Sequence, residues 1–163
     1  MYYLNDVGVL CTLGSNKEQI VDALLTRDRP VPAQASLFTP LEGQQVGRIH
    51  ADLPKLPSSL ARFDCRNNHL ALAALEQLRP ALDAAVVRYG RSRIGVVMGT
   101  STSGIAATEA AVRAVAQQGE YPPGYHAIQG VLGGLGEFVA AYLGTTGPVS
   151  TVSTACSSSG NAV

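Results

Sequence analysis

The chain of 163 residues has no tryptophan, no net charge and few charged residues. Twelve basic residues balance twelve acidic ones, so no overall charge favours nucleic acid or a membrane surface as a partner. No uninterrupted apolar run approaches the ~18 residues that a membrane-spanning helix needs. The start of the chain, MYYLNDVG, has neither the basic residues nor the apolar core of a signal peptide. These absences predict a cytoplasmic protein without a membrane span and without a nucleic-acid partner.

Cysteine is also scarce. The three cysteines, Cys11, Cys65 and Cys156, are odd in number and do not have the spacing of metal ligands. We therefore expect no disulfide scaffold, no metal site and a reducing compartment. Apolar residues, in contrast, make up 46% of the chain, which is typical of a well-buried globular protein.

Apolar patterning predicts strands that alternate with helices. The predicted strands cover residues 2–13, 45–51, 94–98 and 149–152. The predicted helices cover residues 16–26, 67–89, 105–118 and 129–143. Pro80 is expected to kink or break the second of these helices, and residues 27–40, with three prolines, are expected to be irregular. The run 94–98 is apolar, as in a strand that is buried on both faces of a sheet.

The alternation of strands and helices indicates an α/β protein with a mostly parallel sheet. In such sheets the functional groups lie at the carboxyl ends of the strands. Two loops that follow predicted strands qualify, namely residues 99–104 and 153–159. The sequence therefore predicts a site at that edge of the sheet.

The second of these loops contains Cys156, between a predicted strand and the start of a helix. Unpaired N–H groups at a helix start carry partial positive charge, which favours the thiolate and can bind an oxyanion. The small neighbours Ala155, Ser157 and Ser158 permit a tight turn and leave room for a substrate. A buried cysteine that only packs in a β-α turn has the same spacing. Spacing alone leaves both interpretations open.

The motif around the cysteine resembles a known family. The run TACSSS, residues 154–159, is similar to the active-site motif of the β-ketoacyl synthases of fatty-acid and polyketide pathways. Residues 143–148, LGTTGP, resemble the family's segment before the nucleophile strand, and residues 97–104 resemble its strand and Gly/Ser-rich loop. Residues 2–8 are similar to ketosynthases of bacterial aryl-polyene clusters. The resemblance implies a thiolase-like α/β fold, with a mostly parallel mixed sheet between helices.

The resemblance also implies a reaction. A family member transfers an acyl group from acyl carrier protein to the cysteine, and malonyl carrier protein then loses CO2 and attacks the acyl-cysteine. The substrates are carried on phosphopantetheine, and no bound cofactor is expected. The family's two catalytic histidines follow the nucleophile. A homodimer, or a heterodimer with a related ketosynthase subunit, is the expected assembly.

Four further residues gain candidate roles from the resemblance. Thr102 and His126 fall where relatives line the acyl pocket, and Arg62 and Arg66 fall in a basic stretch that would dock the carrier protein. The alternatives are an ordinary loop threonine for Thr102 and a solvated helix entrance for the two arginines. The other histidines, His50 and His69, fit surface or capping roles, and Cys11 and Cys65 fit packing roles.

Val163 lies seven residues beyond Cys156, inside the expected helix. We therefore expect residues 1–163 to be the N-terminal half of a synthase, truncated just after the nucleophile, with the C-terminal half absent. Such a fragment alone would be inactive, and its exposed apolar surfaces would make it unstable or prone to associate. Two other functions remain open: a thiolase or CoA-primed condensing enzyme, and a catalytically inactive partner subunit similar to a chain-length factor.

Overall fold

The computed structural model describes residues 3–26, 33–35, 45–49 and 51–163. Within these ranges the helices are α1 (Lys17–Leu25), α2 (Arg66–Gln77), α3 (Arg79–Tyr89), α4 (Ile105–Gln118), α5 (Gly134–Leu143) and α6 (Ser158–Ala162). The strands are β1 (Ala33–Ala35), β2 (Gln45–Gly47), β3 (Val96–Gly99) and β4 (Val149–Val152). In the same part of the chain, no helix combines the length and the apolar character needed to cross a membrane.

The strands form two small sheets. β3 and β4 are parallel, with Val96 opposite Val149 and Gly99 opposite Val152. This pairing confirms the parallel β-sheet that the alternating pattern predicts. β1 and β2 pair antiparallel; β1 lies inside the segment 27–40 that was expected to be irregular, so that expectation is wrong for Ala33–Ala35.

The core lies where α5 packs between the sheet and α2. Phe63 and Phe138 are completely buried, with their ring centroids 6.0 Å apart and tilted by 55°. Val96 of β3 and Leu72 of α2 join the same cluster. Burial of each phenylalanine contributes about 1.5–3 kcal/mol. Gly136 allows the close approach of α5 to β4, because a Cβ there would stand 2.6 Å from Thr151 Oγ1.

The predicted long helix at 67–89 is two helices. α2 ends at Gln77, Leu78 has φ −96° and ψ −2°, and α3 begins at Arg79. Pro80 occupies the first turn of α3, where its missing N–H leaves no hydrogen bond unmade. The predicted break at Pro80 is therefore confirmed. Its physical cause is that proline fits the first turn of a new helix and not the interior of a continuous one.

The predicted strand at 2–13 is wrong for the described residues 3–13, where only the isolated bridge between Cys11 and Gly14 has strand-like pairing. A side chain takes the place of a neighbouring strand. The Gln77 amide accepts from the Val9 N–H (3.2 Å) and donates to the Val9 carbonyl (3.0 Å). The following helix α1 begins at Lys17, one residue after the predicted start, and Asn16 caps it with a side chain that accepts a hydrogen bond from the Gln19 N–H.

Three other expectations need correction. β3 is not buried on both faces, since Val96 is 5% exposed whereas Val97 is 53% exposed; α5 packs on the face that carries Val96. The last predicted helix begins at Gly134 instead of residue 129, because residues 127–129 form a separate 3-10 turn. The strand predicted at 45–51 covers Gln45–Gly47, and His50 lies outside the described residues.

Candidate active site

The two predicted loops lie side by side at one edge of the β3–β4 sheet. Gly99 ends β3 and Val152 ends β4, and the two residues are paired in register. The Thr100 N–H donates to the Val152 carbonyl at 3.1 Å, so that the pairing continues for one residue into the loops. This edge is the carboxyl end of both parallel strands, where the sequence predicts a site.

Cys156 lies at the turn between β4 and α6. Residues Ala155–Ser157 form a 3-10 turn, which leads directly into α6, and the Cys156 side chain is exposed. Ala155 has φ +53°, a left-handed conformation that costs a residue with a Cβ about 1–2 kcal/mol. This strained residue immediately precedes the cysteine, whose thiol lies at the surface.

Ser158 binds the backbone at the start of this turn. The residue is only 2% exposed. The Ser158 Oγ accepts from the Thr154 N–H at 2.9 Å and donates to the Ala155 carbonyl at 2.7 Å. The Ser158 N–H also donates to the Ala155 carbonyl. Both partners of the hydroxyl are therefore backbone groups of the two residues before Cys156.

A second set of polar contacts covers the outer side of the turn. The Ser157 hydroxyl donates to the Thr154 carbonyl at 2.8 Å and lies 2.9 Å from Thr154 Oγ1. The Asn161 amide donates to Thr154 Oγ1 at 3.0 Å. These side chains are exposed, whereas Ser158 is buried. They tie the first turn of α6 to Thr154 and leave the cysteine uncovered.

Gly99 allows the close packing of α6 against the sheet, whereas nothing in the described structure lies within 4 Å of the place for a Cβ on Gly160. A Cβ on Gly99 would stand 2.5 Å from the Ser158 carbonyl oxygen and 2.7 Å from Ser159 Cα. α6 therefore approaches β3 at the one residue of that strand that has no side chain.

Thr102 lies in the neighbouring loop and is exposed. This loop is also constrained, since Ser103 is 7% exposed and has φ +48°. The Ser103 N–H donates to Thr100 Oγ1 at 2.9 Å, and its hydroxyl donates to the Val131 carbonyl at 3.0 Å. The sheet thus brings the loop that carries Thr102 beside the turn that carries Cys156.

His126 is exposed and precedes the 3-10 turn Ala127–Gln129. Its segment touches the Thr102 loop, because the Gly104 N–H donates to the Gln129 carbonyl at 3.1 Å. The structure thus connects the segments of both predicted pocket residues through the backbone. It gives no hydrogen bond between the His126 side chain and any described residue.

Arg62 and Arg66 flank a short link between a 3-10 helix and α2, and both are exposed. The Arg62 guanidinium stacks over the Phe63 ring at 4.6 Å from its centroid. Arg66 borders a cavity of about 200 Å³ that is also lined by Cys65, Ser103 and Ile105. One of the two arginines therefore lies beside the loop that contains Thr102.

The surroundings of Cys65 and His69 fit structural roles. Cys65 is 5% exposed, and burial raises the pKa of its thiol above the usual value. His69 bridges two segments, with Nδ1 2.7 Å from the Pro54 carbonyl and Nε2 2.6 Å from Asp64 Oδ1. Among the described residues, no cluster of three or more His, Cys, Asp or Glu side chains could hold a metal ion.

Sequence reasoning missed the role of the Ser158 hydroxyl. It treated this serine only as a small neighbour of the cysteine. The available signal was its position two residues after Cys156, where a hydroxyl can reach back to the backbone before a helix start. Burial of that hydroxyl, which decides between a surface serine and a structural one, is visible only in the folded chain.

Comparison with known proteins gives the family. The family described as "Beta-ketoacyl synthase, N-terminal domain" matches residues 55–163. The chain is also similar to a solved structure, the ketosynthase ApeO in complex with its chain length factor ApeC from Xenorhabdus doucetiae, with 40% identity and a TM-score of 0.86. The similarity covers 98% of this chain and 41% of that one, so the chain spans less than half the length of its solved relative. No curated protein matches the chain. The chain belongs to the β-ketoacyl synthase family and has the thiolase-like α/β fold of its N-terminal domain.

Proposed function

We propose that the full-length protein is a β-ketoacyl-acyl carrier protein synthase with Cys156 as its acyl-carrying nucleophile. The Cys156 sulfur attacks the thioester carbonyl of an acyl carrier protein, forms a new C–S bond and releases the carrier thiol. Malonyl carrier protein then loses CO2, and its carbanion attacks the acyl-cysteine to give a β-ketoacyl carrier protein. The exposed position of Cys156 at the turn between β4 and α6 is the observation that carries the proposal.

The geometry of the turn supports the first step. The Ala155 carbonyl accepts hydrogen bonds from the buried Ser158. In a trans peptide the following N–H points the opposite way, so the Cys156 N–H points away from Ser158. No described residue accepts a hydrogen bond from this N–H. It is available to stabilise the oxyanion that forms when the sulfur attacks a thioester.

Carrier-protein docking is assigned to Arg62 and Arg66. Both side chains are exposed, and Arg66 borders the cavity beside Ser103 and Ile105. Exposed guanidinium groups bind phosphate and carboxylate groups, which the phosphopantetheine arm and an acidic carrier protein supply. The acyl chain would then extend past the loop with Thr102 and the segment with His126. Phosphopantetheine thus enters with the substrates, and the protein itself needs no bound cofactor.

The proposed assembly is a dimer with a related ketosynthase subunit. The similar solved structure is a ketosynthase in complex with its chain length factor. A homodimer is the alternative assembly. The similarity of residues 2–8 to aryl-polyene ketosynthases suggests that pathway as the place of the reaction.

Intact-mass spectrometry of the full-length protein, mixed with an acyl carrier protein loaded with a medium-length acyl chain, tests the nucleophile. We expect one acyl group on wild-type protein, located on the peptide with Cys156, and none on Cys156→Ala. Absence of acylation in the wild type would favour the alternative of an inactive partner subunit. Acylation from acyl-CoA in preference to the carrier protein would favour the CoA-primed alternative.

A further inference from the structure

Ser158 makes a set of contacts that a packing residue does not need. Its hydroxyl is buried and has both a donor and an acceptor role, towards the Thr154 N–H and the Ala155 carbonyl. A buried hydroxyl with two backbone partners has one orientation. One partner belongs to Thr154 and the other to Ala155, the residue with φ +53°.

The contact with the Ala155 carbonyl fixes the peptide that contains the Cys156 N–H. Because a peptide is planar, the direction of its carbonyl sets the direction of its N–H. Two donors of Ser158, the hydroxyl and the backbone N–H, hold the Ala155 carbonyl inward. Rotation of that peptide would break both hydrogen bonds and change the direction of the Cys156 N–H.

Ser158 is itself held by the sheet. Its backbone lies against Gly99 so closely that a Cβ on Gly99 would stand 2.5 Å from the Ser158 carbonyl oxygen. The rigid strand β3 therefore supports Ser158, and Ser158 supports the peptide before the nucleophile. The exposed Ser157 and Asn161 contact Thr154 instead, and leave the Ala155–Cys156 peptide to Ser158.

We infer that Ser158 is a positioning residue, whose hydroxyl holds the Ala155–Cys156 peptide so that the Cys156 N–H faces the thioester oxygen. The inference rests on the proposed function, because it needs a thioester as the electrophile. It separates two properties of the cysteine. Acyl transfer builds negative charge on an oxygen and needs the oriented N–H, whereas alkylation by iodoacetamide forms a C–S bond and expels iodide without an oxyanion.

The test uses full-length wild type, Ser158→Ala and the matched control Ser159→Ala, whose serine is exposed. Acylation of Cys156 by hexanoyl-N-acetylcysteamine thioester, with release of N-acetylcysteamine, is followed by intact mass. Alkylation of Cys156 by iodoacetamide is measured on the same samples, with a thermal melt for each. Comparison of the acylation and alkylation rates of Cys156 distinguishes a misdirected Cys156 N–H from a damaged fold.

We expect Ser158→Ala to slow acylation about tenfold, less than the loss on removing an oxyanion donor itself. Alkylation should change by less than about twofold, because it depends on thiolate fraction and exposure. Ser159→Ala should keep both rates. Equal acylation in Ser158→Ala and wild type would overturn the inference alone, as would an equal loss of both rates. No acylation of wild type would overturn the proposed function and the inference with it.

Discussion

Gly99 and Ser158 are in direct contact across the β3–α6 interface, with no room for a side chain at position 99. A Cβ on Gly99 would stand 2.5 Å from the Ser158 carbonyl oxygen, a backbone atom that cannot rotate away. The end of β3 and the first residue of α6 are therefore packed backbone to backbone. The position of the turn with Cys156 depends on this contact.

Gly99→Ala should displace α6 and destabilise the protein. Overpacking against backbone costs about 1–3 kcal/mol, and we expect a loss of that size in urea unfolding, together with slower acylation of Cys156. Gly160→Ala is the matched control. Gly160 lies in α6, the helix that Gly99 contacts, and nothing in the described structure lies within 4 Å of its Cβ position. Equal stability of the two variants would show that the contact is not tight.

The left-handed conformation of Ala155 gives a second prediction. Ala155→Gly removes the conformational cost in the folded state but adds freedom to the unfolded chain, so its stability should stay within about 1 kcal/mol of wild type. Ala155→Val places a β-branched side chain at φ +53° and should lose about 2 kcal/mol or more. Urea unfolding of both variants measures the difference. A stable Ala155→Val variant would contradict the positive φ.

Arg62 and Arg66 should matter for carrier proteins and not for small thioesters. The double variant Arg62→Glu/Arg66→Glu should slow acyl transfer from acyl carrier protein about tenfold at low salt, and less as salt screens the charges. Transfer from an N-acetylcysteamine thioester should be unchanged. Arg93→Glu is the control, because Arg93 is exposed and precedes β3, at the end of the strand opposite the site. Equal losses with both donors would remove the docking role.

The buried thiol of Cys65 should react more slowly than the exposed thiol of Cys156. Burial raises the pKa of Cys65, so less of it is thiolate at pH 8. We expect iodoacetamide to label Cys156 at least about tenfold faster than Cys65 in folded protein at that pH, as measured by peptide mass spectrometry. The advantage should disappear in urea. The same raised pKa means that Cys65 contributes stability below the usual thiol pKa, which is lost as the pH rises through the folded value. Faster labelling of Cys65 would contradict its burial.

Part of this arrangement could be predicted from the sequence. The β-branched residues before Ser153 and the small residues after it indicate a strand followed by a helix start, and the structure has β4, a 3-10 turn and α6 at those places. The break at Pro80 also follows from local chemistry, since an α-helix accepts proline without distortion only in its first turn. These features depend on residues close together in the chain.

The features that depend on distant residues could not be predicted. Residues 3–13 have the composition of a strand, but the backbone of Val9 pairs with the side chain of Gln77, which lies on α2. Val97 is an apolar residue of a type common in buried strands, but its exposure depends on what packs against its face of β3. The same holds for Ser158, whose role depends on the contact between α6 and Gly99.

The most direct measurement of the central claim is the mass of the carrier protein after full-length protein is mixed with acyl carrier protein and malonyl carrier protein. The account predicts a β-ketoacyl carrier protein, two carbons longer than the starting acyl chain, with wild type and none with Cys156→Ala. Formation of the same product by Cys156→Ala, or acylation found on Cys11 or Cys65 instead of Cys156, would contradict it.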